Sequence, residues 1–274
     1  MTLTQAAVLG LVEGITEYLP ISSTGHLILA QRVLGIGEEA AEREAAAAYV
    51  VCIQLGAIVA VLLLYRSRVR RMLLGMLGQD VQGRRLAICV LLAFLPAAVA
   101  GLLLEETIKE RLFGLEPIGL AWLLGGLAIL VVARWRRGRP PLAGSDLAGL
   151  DARSALLIGL AQCAALWPGT SRSLATIVGG LLVGLSVPAA VEFSFLLGLV
   201  TLGAATSWDL LRHGSAIVTT FGWQSPLLGF VVAGLAAFLA VKWMVAYLER
   251  HGLEIFGWYR VGMAALVGLL LLLD

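Results

Sequence analysis

The sequence predicts an all-α, polytopic membrane protein, and three observations lead to this fold class. Hydrophobic residues make up 59% of the 274 residues, charged residues make up only 14%, and the mean hydropathy is +0.92. A soluble domain is about half apolar and about a quarter charged, so this composition indicates a bilayer environment. Apolar runs of about 17 to 25 residues, long enough to cross the hydrocarbon core as helices, recur along the chain. Two further apolar stretches are each interrupted near the middle by a proline.

The uninterrupted apolar runs predict six transmembrane helices. The connections between them differ in charge, because 66–85 and 134–153 are rich in arginine whereas 31–46 and 105–116 are rich in acids. Since positively charged connections stay in the cytoplasm, we expect the first two inside and the last two outside. The six spans are expected near 47–65, 86–104, 117–133, 189–208, 225–247 and 258–273.

The two interrupted stretches, 3–30 and 154–185, predict re-entrant helix pairs. Pro20 interrupts the first and Pro168 the second, and small hydroxylated residues follow each proline. Proline ends a helix, and Ser or Thr caps the next one. Such a break leaves backbone groups unpaired, which lipid allows only where the break is buried in protein or lines a wet cavity.

The two interrupted stretches also resemble each other, which indicates an internal duplication within a single membrane domain, 1–274. The halves would cover approximately 1–135 and 150–274. The loop charges make the span at 47–65 run inward and the span at 189–208 run outward. The halves are therefore expected to form an inverted-topology repeat, with both breaks near the midplane.

The first interrupted stretch carries two acids, Glu13 and Glu17, just before its break. A spacing of four places both carboxylates on one face of a helix. Ionisable groups within a membrane segment are costly, so a pair of them favours function. The pair suits a divalent cation or acid–base chemistry. The alternative is that the two acids only hold the break together.

Hydroxyl groups and a histidine follow the first break. Ser23 lies where the second helix would begin, near unpaired amides and the positive end of the helix dipole, where a phosphate would bind. His26 follows one turn later, within reach of that hydroxyl or of a leaving oxygen. We expect Ser22 and Thr24 to assist in binding substrate, although Ser22 also suits a plain N-cap and His26 a structural role.

The second break carries the cation Arg172 in a segment that has no other charge. Its planar fork suits phosphate oxygens, and a salt bridge to one of the acids at the first break is the alternative. Gln162 corresponds in position to Glu13, and either a central hydrogen bond or a packing role is open for it. The remaining hydroxyl groups predicted to complete a phosphate cradle are those of Thr170, Ser171 and Ser173.

Other features are assigned structural roles. The charge pattern lacks the basic clusters alternating with aromatic residues that nucleic-acid binding requires, so this class is excluded. The cysteines are interpreted as packing residues, and Tyr259-Arg260 as an anchor for the last span at the inner interface. Trp167 is expected near the site. The tryptophans interpreted as interfacial anchors are Trp122, Trp135, Trp208, Trp223, Trp243 and Trp258.

Two sequence motifs resemble the signatures of a known family. The run from Glu13 to His26, EGITEYLPISSTGH, and the run from Pro168 to Ser173, PGTSRS, closely resemble the two signature motifs of the undecaprenyl-diphosphate phosphatase family of the bacitracin-resistance type. The resemblance covers nearly the whole chain, since Gln54-Leu55-Gly56, Glu192 to Leu197 and Tyr259-Arg260 also fit. Leu174 and Val200 depart from the pattern, where the family usually has Gly and commonly Pro.

The resemblance implies a multi-pass enzyme of the bacterial inner membrane that removes one phosphate from undecaprenyl diphosphate. This reaction recycles the lipid carrier of peptidoglycan synthesis, and the site would open toward the periplasm. By the same resemblance, Glu13 and Glu17 handle the diphosphate with a divalent cation, Mg²⁺ or Ca²⁺, and Arg172 binds phosphate. Either Ser23 or His26 would be the nucleophile.

Alternative functions follow from the same features. Inverted repeats with broken helices are also a transporter architecture, so a flippase of a polyprenyl phosphate lipid is the main alternative. A non-catalytic scaffold would not require charged residues at two helix breaks. The expected partners are a polyprenyl diphosphate lipid and the bilayer, and a homodimer stays open.

Overall fold

Helices are the regular secondary structure of the part of the chain that its computed structural model describes, namely residues 1–36, 40–137 and 146–273. Side chains are described in these ranges except at 40–45, 47, 48, 105, 109, 210 and 212–220. A short 3-10 helix, Cys163–Leu166, precedes the second break. The α-helices are α1 Leu3–Thr16, α2 Ser23–Val33, α3 Ala40–Leu64, α4 Arg66–Met76, α5 Val81–Leu112, α6 Leu115–Arg136, α7 Ala152–Gln162, α8 Arg172–Leu182, α9 Val187–Phe221, α10 Gln224–Leu248 and α11 Glu254–Leu273.

Five of the described helices are long and apolar enough to span a membrane, which confirms a polytopic, all-helical protein. They correspond to the predicted spans that begin near 86, 117, 189, 225 and 258. The remaining predicted span, 47–65, falls on Tyr49–Leu64 of α3, which meets the same criteria only together with α4 beyond a break at Tyr65. The described residues therefore provide five spans, or six if this broken pair is one span. The five candidate spans are Val81–Leu104, Leu115–Arg136, Val187–Asp209, Gln224–Leu248 and Glu254–Leu273.

The helices extend beyond the predicted apolar runs. The sequence predicts a connection over 105–116, but α5 continues to Leu112, and only Phe113 and Gly114 separate it from α6. This expectation was wrong because charged residues end an apolar run without ending a helix: once outside the hydrocarbon, they are solvated. Residues 37–39 of the acid-rich segment, the side chains of Glu105 and Lys109, and Arg139 lie outside the described residues.

Both interrupted stretches are broken where the prolines predict. The first divides into α1 and α2, and the second into α7 with its 3-10 extension and α8. These helices have 11 to 14 residues, too few to cross a bilayer that requires about 20. The lengths agree with re-entrant helix pairs. The inverted relationship of the two halves stays a prediction.

One of two compact units consists of residues 1–19, 23–65 and 198–244. Within it, α1 packs backbone to backbone against α10, because a Cβ added at Gly14 would lie 2.3 Å from the Ala233 carbonyl oxygen. Small residues permit this close approach of helices in lipid. The Tyr49 hydroxyl donates to the Ala6 carbonyl over 2.8 Å and ties α3 to α1. These contacts make α1 a firm base for the acids at its end.

The other compact unit consists of residues 20–22, 66–197 and 245–274. It contains the backbone of the first break and the whole of the second. Within this unit α6 packs along α11, α7 packs against α5, and α8 contacts α7 and α6. Arg68 Nε of α4 donates to Glu192 Oε1 of α9 over 2.6 Å. Arg71 Nε donates to Asp80 Oδ2 over 2.8 Å in the same unit.

Candidate active site

The two predicted acids lie at the C-terminal end of α1. Glu13 is 1% exposed and Glu17 is 7% exposed. The backbone N–H of Glu17 donates to the Glu13 carbonyl over 2.9 Å, so the helical turn continues through Glu17 and keeps the two side chains one turn apart. Burial of two carboxylates in an apolar segment is costly unless they bind something, which keeps them as candidates for function.

The Ser23 hydroxyl donates to Glu17 Oε2 over 2.5 Å. They are six positions apart in the sequence, and the turn that contains Pro20 brings the start of α2 back to the end of α1. The intervening Ser22 has a φ of 74°, a left-handed backbone conformation that residues other than glycine seldom adopt. A short hydrogen bond to a carboxylate polarises the hydroxyl. The sequence identified both residues but not this direct pairing.

The other candidates of the first break lie on or beside α2. His26 follows Ser23 by one helical turn, and both are half-buried. Thr24 is half-buried and Ser22 is 4% exposed. The structure thus brings Glu17 and Ser23 into contact and keeps His26 on the next turn of the same helix. The roles of His26, Thr24 and Ser22 stay predictions.

The second break repeats the left-handed serine of the first, although Gly169 has a φ of 94° where the first break has Pro20. Ser171 has a φ of 76° and directly precedes α8, as Ser22 directly precedes α2. Its hydroxyl accepts a hydrogen bond from the Leu174 backbone N–H over 3.2 Å and lies 2.9 Å from the Ser173 hydroxyl. The structure therefore adds an N-cap to the cradle role predicted for Ser171. The Ser173 side chain is fully buried.

Arg172 is the first residue of α8. One of its terminal nitrogens, Nη1, donates to the Ser194 carbonyl over 3.0 Å, and the Ser194 hydroxyl accepts from Thr176 Oγ1 over 2.7 Å. These bonds orient the Arg172 guanidinium through residues of the same compact unit. Gln162 is 1% exposed at the end of α7, and Thr170 is half-buried. Their binding roles stay predictions.

Two residues interpreted as interfacial anchors are instead buried against the breaks. Trp122 is fully buried, and its indole N–H donates to the Ile21 carbonyl over 2.8 Å. Arg260 is also fully buried and donates to backbone carbonyls of both breaks. Both interpretations were wrong because an interrupted helix leaves carbonyls that require buried donors, and the apolar pattern does not reveal them. The tryptophans that are exposed, as interfacial anchors require, are Trp135, Trp208, Trp223, Trp243 and Trp258.

An apolar groove of about 640 Å³ lies beside the second break. It is lined by α5 to α8, and Thr170 and Trp167 bring the break to its wall. Leu174, one of the two departures from the family pattern, also lines the groove and is 5% exposed. A glycine at this position would leave the wall more open.

The predicted cation was assigned to Glu13 and Glu17. Within the described residues, no three or more His, Cys, Asp and Glu side chains are grouped closely enough to hold a metal on their own. The two carboxylates are buried one turn apart, and that of Glu17 contacts a hydroxyl. Carboxylate oxygens are the hard donors that Mg²⁺ and Ca²⁺ prefer. They fit a cation whose remaining ligands come from phosphate and water, as Mg²⁺ is commonly held.

These features define a polytopic helical membrane protein whose two helix breaks carry an acidic, hydroxylated constellation and an arginine. The chain belongs to the family described as bacitracin resistance protein BacA, whose sequence model matches residues 6–266.

Close relatives support the same membership. An undecaprenyl-diphosphatase of Sorangium cellulosum is 46% identical over 96% of this chain and 84% of the relative. A protein named undecaprenyl-diphosphatase 2 of Rhodospirillum rubrum is 46% identical over 97% of this chain and 93% of its own length. An undecaprenyl-diphosphatase of Nitrosospira multiformis is 42% identical over the same shares. The family predicted from the two motifs is confirmed.

Proposed function

We propose that the protein is a membrane phosphatase that hydrolyses undecaprenyl diphosphate to undecaprenyl phosphate and inorganic phosphate. The relatives described above carry this activity in their names, and they align over nearly the whole chain. The observation in the molecule that carries the proposal is the 2.5 Å hydrogen bond from the Ser23 hydroxyl to Glu17. It joins the hydroxyl that we assign as nucleophile to the carboxylate that we assign as base, at a helix N-terminus, where phosphate binds well.

In this mechanism the oxygen of Ser23 attacks the terminal phosphorus, and its proton passes to Glu17. The bond between that phosphorus and the bridging oxygen breaks, and undecaprenyl phosphate leaves. Water then attacks the phosphoserine, releases inorganic phosphate and restores the hydroxyl. The half-buried His26, one turn along α2, supplies or removes a proton at the leaving or attacking oxygen.

The other order of roles makes His26 the nucleophile and Ser23 a ligand of the phosphate. The two orders leave different phosphoenzymes. A phosphoserine survives acid but not base, whereas a phosphohistidine is labile in acid and stable in base. Trapping labelled enzyme from a diphosphate with a labelled terminal phosphate therefore separates them. We expect the acid-stable adduct, because the observed hydrogen bond activates the hydroxyl.

The second break supplies the positive charge in this proposal. Arg172 binds the phosphate oxygens with its fork, and the Ser194 carbonyl fixes the orientation of that fork. Backbone amides at the start of α8 add donors, with the hydroxyl of Thr170 beside them. Ser171 and Ser173 maintain the shape of this cradle through their mutual contact.

A divalent cation, Mg²⁺ or Ca²⁺, is part of the proposal. When bound, it neutralises charge on the diphosphate oxygens. Glu13 and Glu17 would hold it, and their burial limits competition from water. Removal of divalent ions with a chelator should therefore lower the rate of phosphate release, and added Mg²⁺ or Ca²⁺ should restore it.

We also propose a place and an orientation for the enzyme. The described arginines within the segments 66–85 and 134–153 indicate that these two connections lie on the cytoplasmic side. A site reached from the opposite side would open to the periplasm of a bacterial inner membrane. Accessibility of a cysteine substituted for Gln79, in the connection between α4 and α5, tests this orientation, because a membrane-impermeant thiol reagent should label it only in inverted vesicles.

Phosphate release by purified protein in detergent tests the activity itself. We expect release from a C55 or C15 polyprenyl diphosphate, with no release after Glu17→Gln. Transport is impossible in detergent, so release there separates the phosphatase from a flippase built on the same fold. Protein that is folded but inactive on both substrates would contradict the proposal.

A further inference from the structure

The Arg260 side chain on α11 is fully buried, and its partners are backbone carbonyls. Its Nη2 donates to the Gly169 carbonyl over 2.9 Å and to the Ala121 carbonyl over 2.8 Å. Its Nη1 makes a longer contact of 3.4 Å with the Pro20 carbonyl. Pro20 belongs to the first break and Gly169 to the second, so one guanidinium contacts both breaks.

The chain makes space for this guanidinium. A Cβ added at Gly125 on α6 would lie 2.3 Å from Arg260 Nη2, and one at Gly126 would lie 3.2 Å from Arg260 Cβ. Two adjacent glycines therefore let the arginine enter between α6 and α11. Among the described residues, no carboxylate lies within salt-bridge distance of Arg260, so carbonyl dipoles alone compensate its charge. A cation buried at this cost in a membrane protein points to a function.

The two carbonyls hold equivalent positions in the two breaks. Pro20 lies three residues before Ser23, and Gly169 lies three residues before Arg172. Each of these residues begins the helix that follows its break. A second donor supports the first break, because the Trp122 indole donates to Ile21 over 2.8 Å. Carbonyls at a helix break lack the partners that a continuous helix would supply, and Arg260 provides them.

We propose that Arg260 is a positioning residue, which fixes the backbone of both breaks and thereby sets the start of α2 at Ser23 and of α8 at Arg172. Arg260 does not contact substrate in this proposal. A misplacement of about 1 Å can lower a rate about 100-fold, so such a residue controls turnover without binding anything itself. The inference rests on the proposed function for its kinetic readout only.

Arg260→Lys tests the proposal, with Arg136→Lys as the matched control. Lysine keeps the charge but replaces the fork with one nitrogen, which is unable to bind three carbonyls in the same geometry. Arg136 also donates to a backbone carbonyl, that of Leu181 over 2.7 Å, but away from both breaks. We expect kcat of Arg260→Lys to fall at least about tenfold with KM within about threefold, and both constants of Arg136→Lys to stay within about twofold.

Gly125→Ala provides a second variant that leaves the arginine in place. Its new methyl group would overlap Arg260 Nη2 and displace the guanidinium, so it should reproduce the loss of kcat. Gly262→Ala is the matched control on α11, because an added Cβ there meets no atom within 4 Å. This pair keeps the proposal testable if Arg260→Lys does not fold.

Hydrogen exchange separates positioning from general stability. We expect faster exchange in peptides covering 17–26 and 166–175 in Arg260→Lys and Gly125→Ala, with unchanged exchange in α5 and α10. Wild-type kcat in both variants, or an equal rise in exchange along the whole chain, would overturn the proposal. Wild-type protein that releases no phosphate would instead contradict the proposed function, and the exchange result would still decide the role of Arg260.

Discussion

The two helix breaks share a left-handed serine before the following helix but differ in chemistry. Ser22 and Ser171 have φ values of 74° and 76°, and each immediately precedes an 11-residue helix. The first break joins a hydroxyl to a carboxylate, through Ser23 and Glu17. The second begins its helix with the cation Arg172. The conformation of this serine is thus shared, while the residues that follow it differ in charge.

This comparison separates the requirements of folding from those of chemistry. The left-handed serine occurs in both breaks, and Arg260 donates to a backbone carbonyl of each. The residue that follows the serine is Ser23 in one break and Arg172 in the other. The same serine conformation can therefore precede a hydroxyl in one break and a guanidinium in the other.

The largest expected effect is loss of the acids at the first break. Glu13→Gln and Glu17→Gln remove charge but keep shape, so each should lower kcat/KM at least about 100-fold, or roughly 2.7 kcal/mol. Phosphate release at saturating Mg²⁺ measures this effect. Glu116→Gln, exposed in the first turn of α6, is the control and should stay within about twofold. Near-normal turnover of both acid variants would remove the metal site from the proposal.

The second break should respond to geometry rather than to charge alone. Arg172→Lys keeps the positive charge and loses the fork, and we expect activity to fall at least about tenfold, equivalent to roughly 1.4 kcal/mol. Steady-state phosphate release checks this, again beside Arg136→Lys. A lysine variant as active as wild type would make Arg172 a structural counter-charge only.

A smaller effect is expected from the serine shared by the two backbones. Ser171→Ala removes the cap on the Leu174 N–H and the contact with Ser173, at a cost of about 1 kcal/mol of stability. Ser171→Gly also loses the cap, but glycine adopts a positive φ freely and should recover most of that loss. Unfolding midpoints in detergent measure the difference. Equal midpoints for the Ala and Gly variants would mean that the left-handed conformation costs nothing.

The sequence predicted the helical class, five of the spans and both breaks, because long apolar runs and prolines are local signals. It also identified the acids, Ser23 and Arg172 as candidate site residues, since polar groups in apolar segments are easily recognised, and their roles stay predictions. It did not predict that Arg260 and Trp122 are buried donors, because their partners are carbonyls distant in the sequence. The adjacent Gly125 and Gly126 were a local signal of a close approach on α6.

Two further features lay beyond local signals. The left-handed conformations of Ser22 and Ser171 could not be predicted, because serine seldom adopts them and glycine is the usual residue there. The contact of Ser23 with Glu17 depends on how tightly the turn through Pro20 closes. The end of α5 was missed for a different reason, since its charged last turns are helical outside the apolar run.

The smallest expected effect lies outside both breaks, in the connection between α4 and α5. It serves as a reference for the variants at the breaks. Hydrogen bonds from the Arg71 guanidinium and from the Gly83 backbone N–H hold the pKa of Asp80 below its usual range. A carboxyl whose pKa is lower in the folded state stabilises the fold above its unfolded pKa, about 3.9, and this contribution is lost as the pH falls through the folded pKa.

Asp80→Asn should therefore lower the thermal midpoint slightly at pH 7 and flatten its decline below about pH 4. Arg71→Gln should have the same effect, because it removes the larger cause. Phosphate release at pH 7 should stay within about twofold in both variants, and an unchanged acid decline of the midpoint would show that this pair does not contribute to stability.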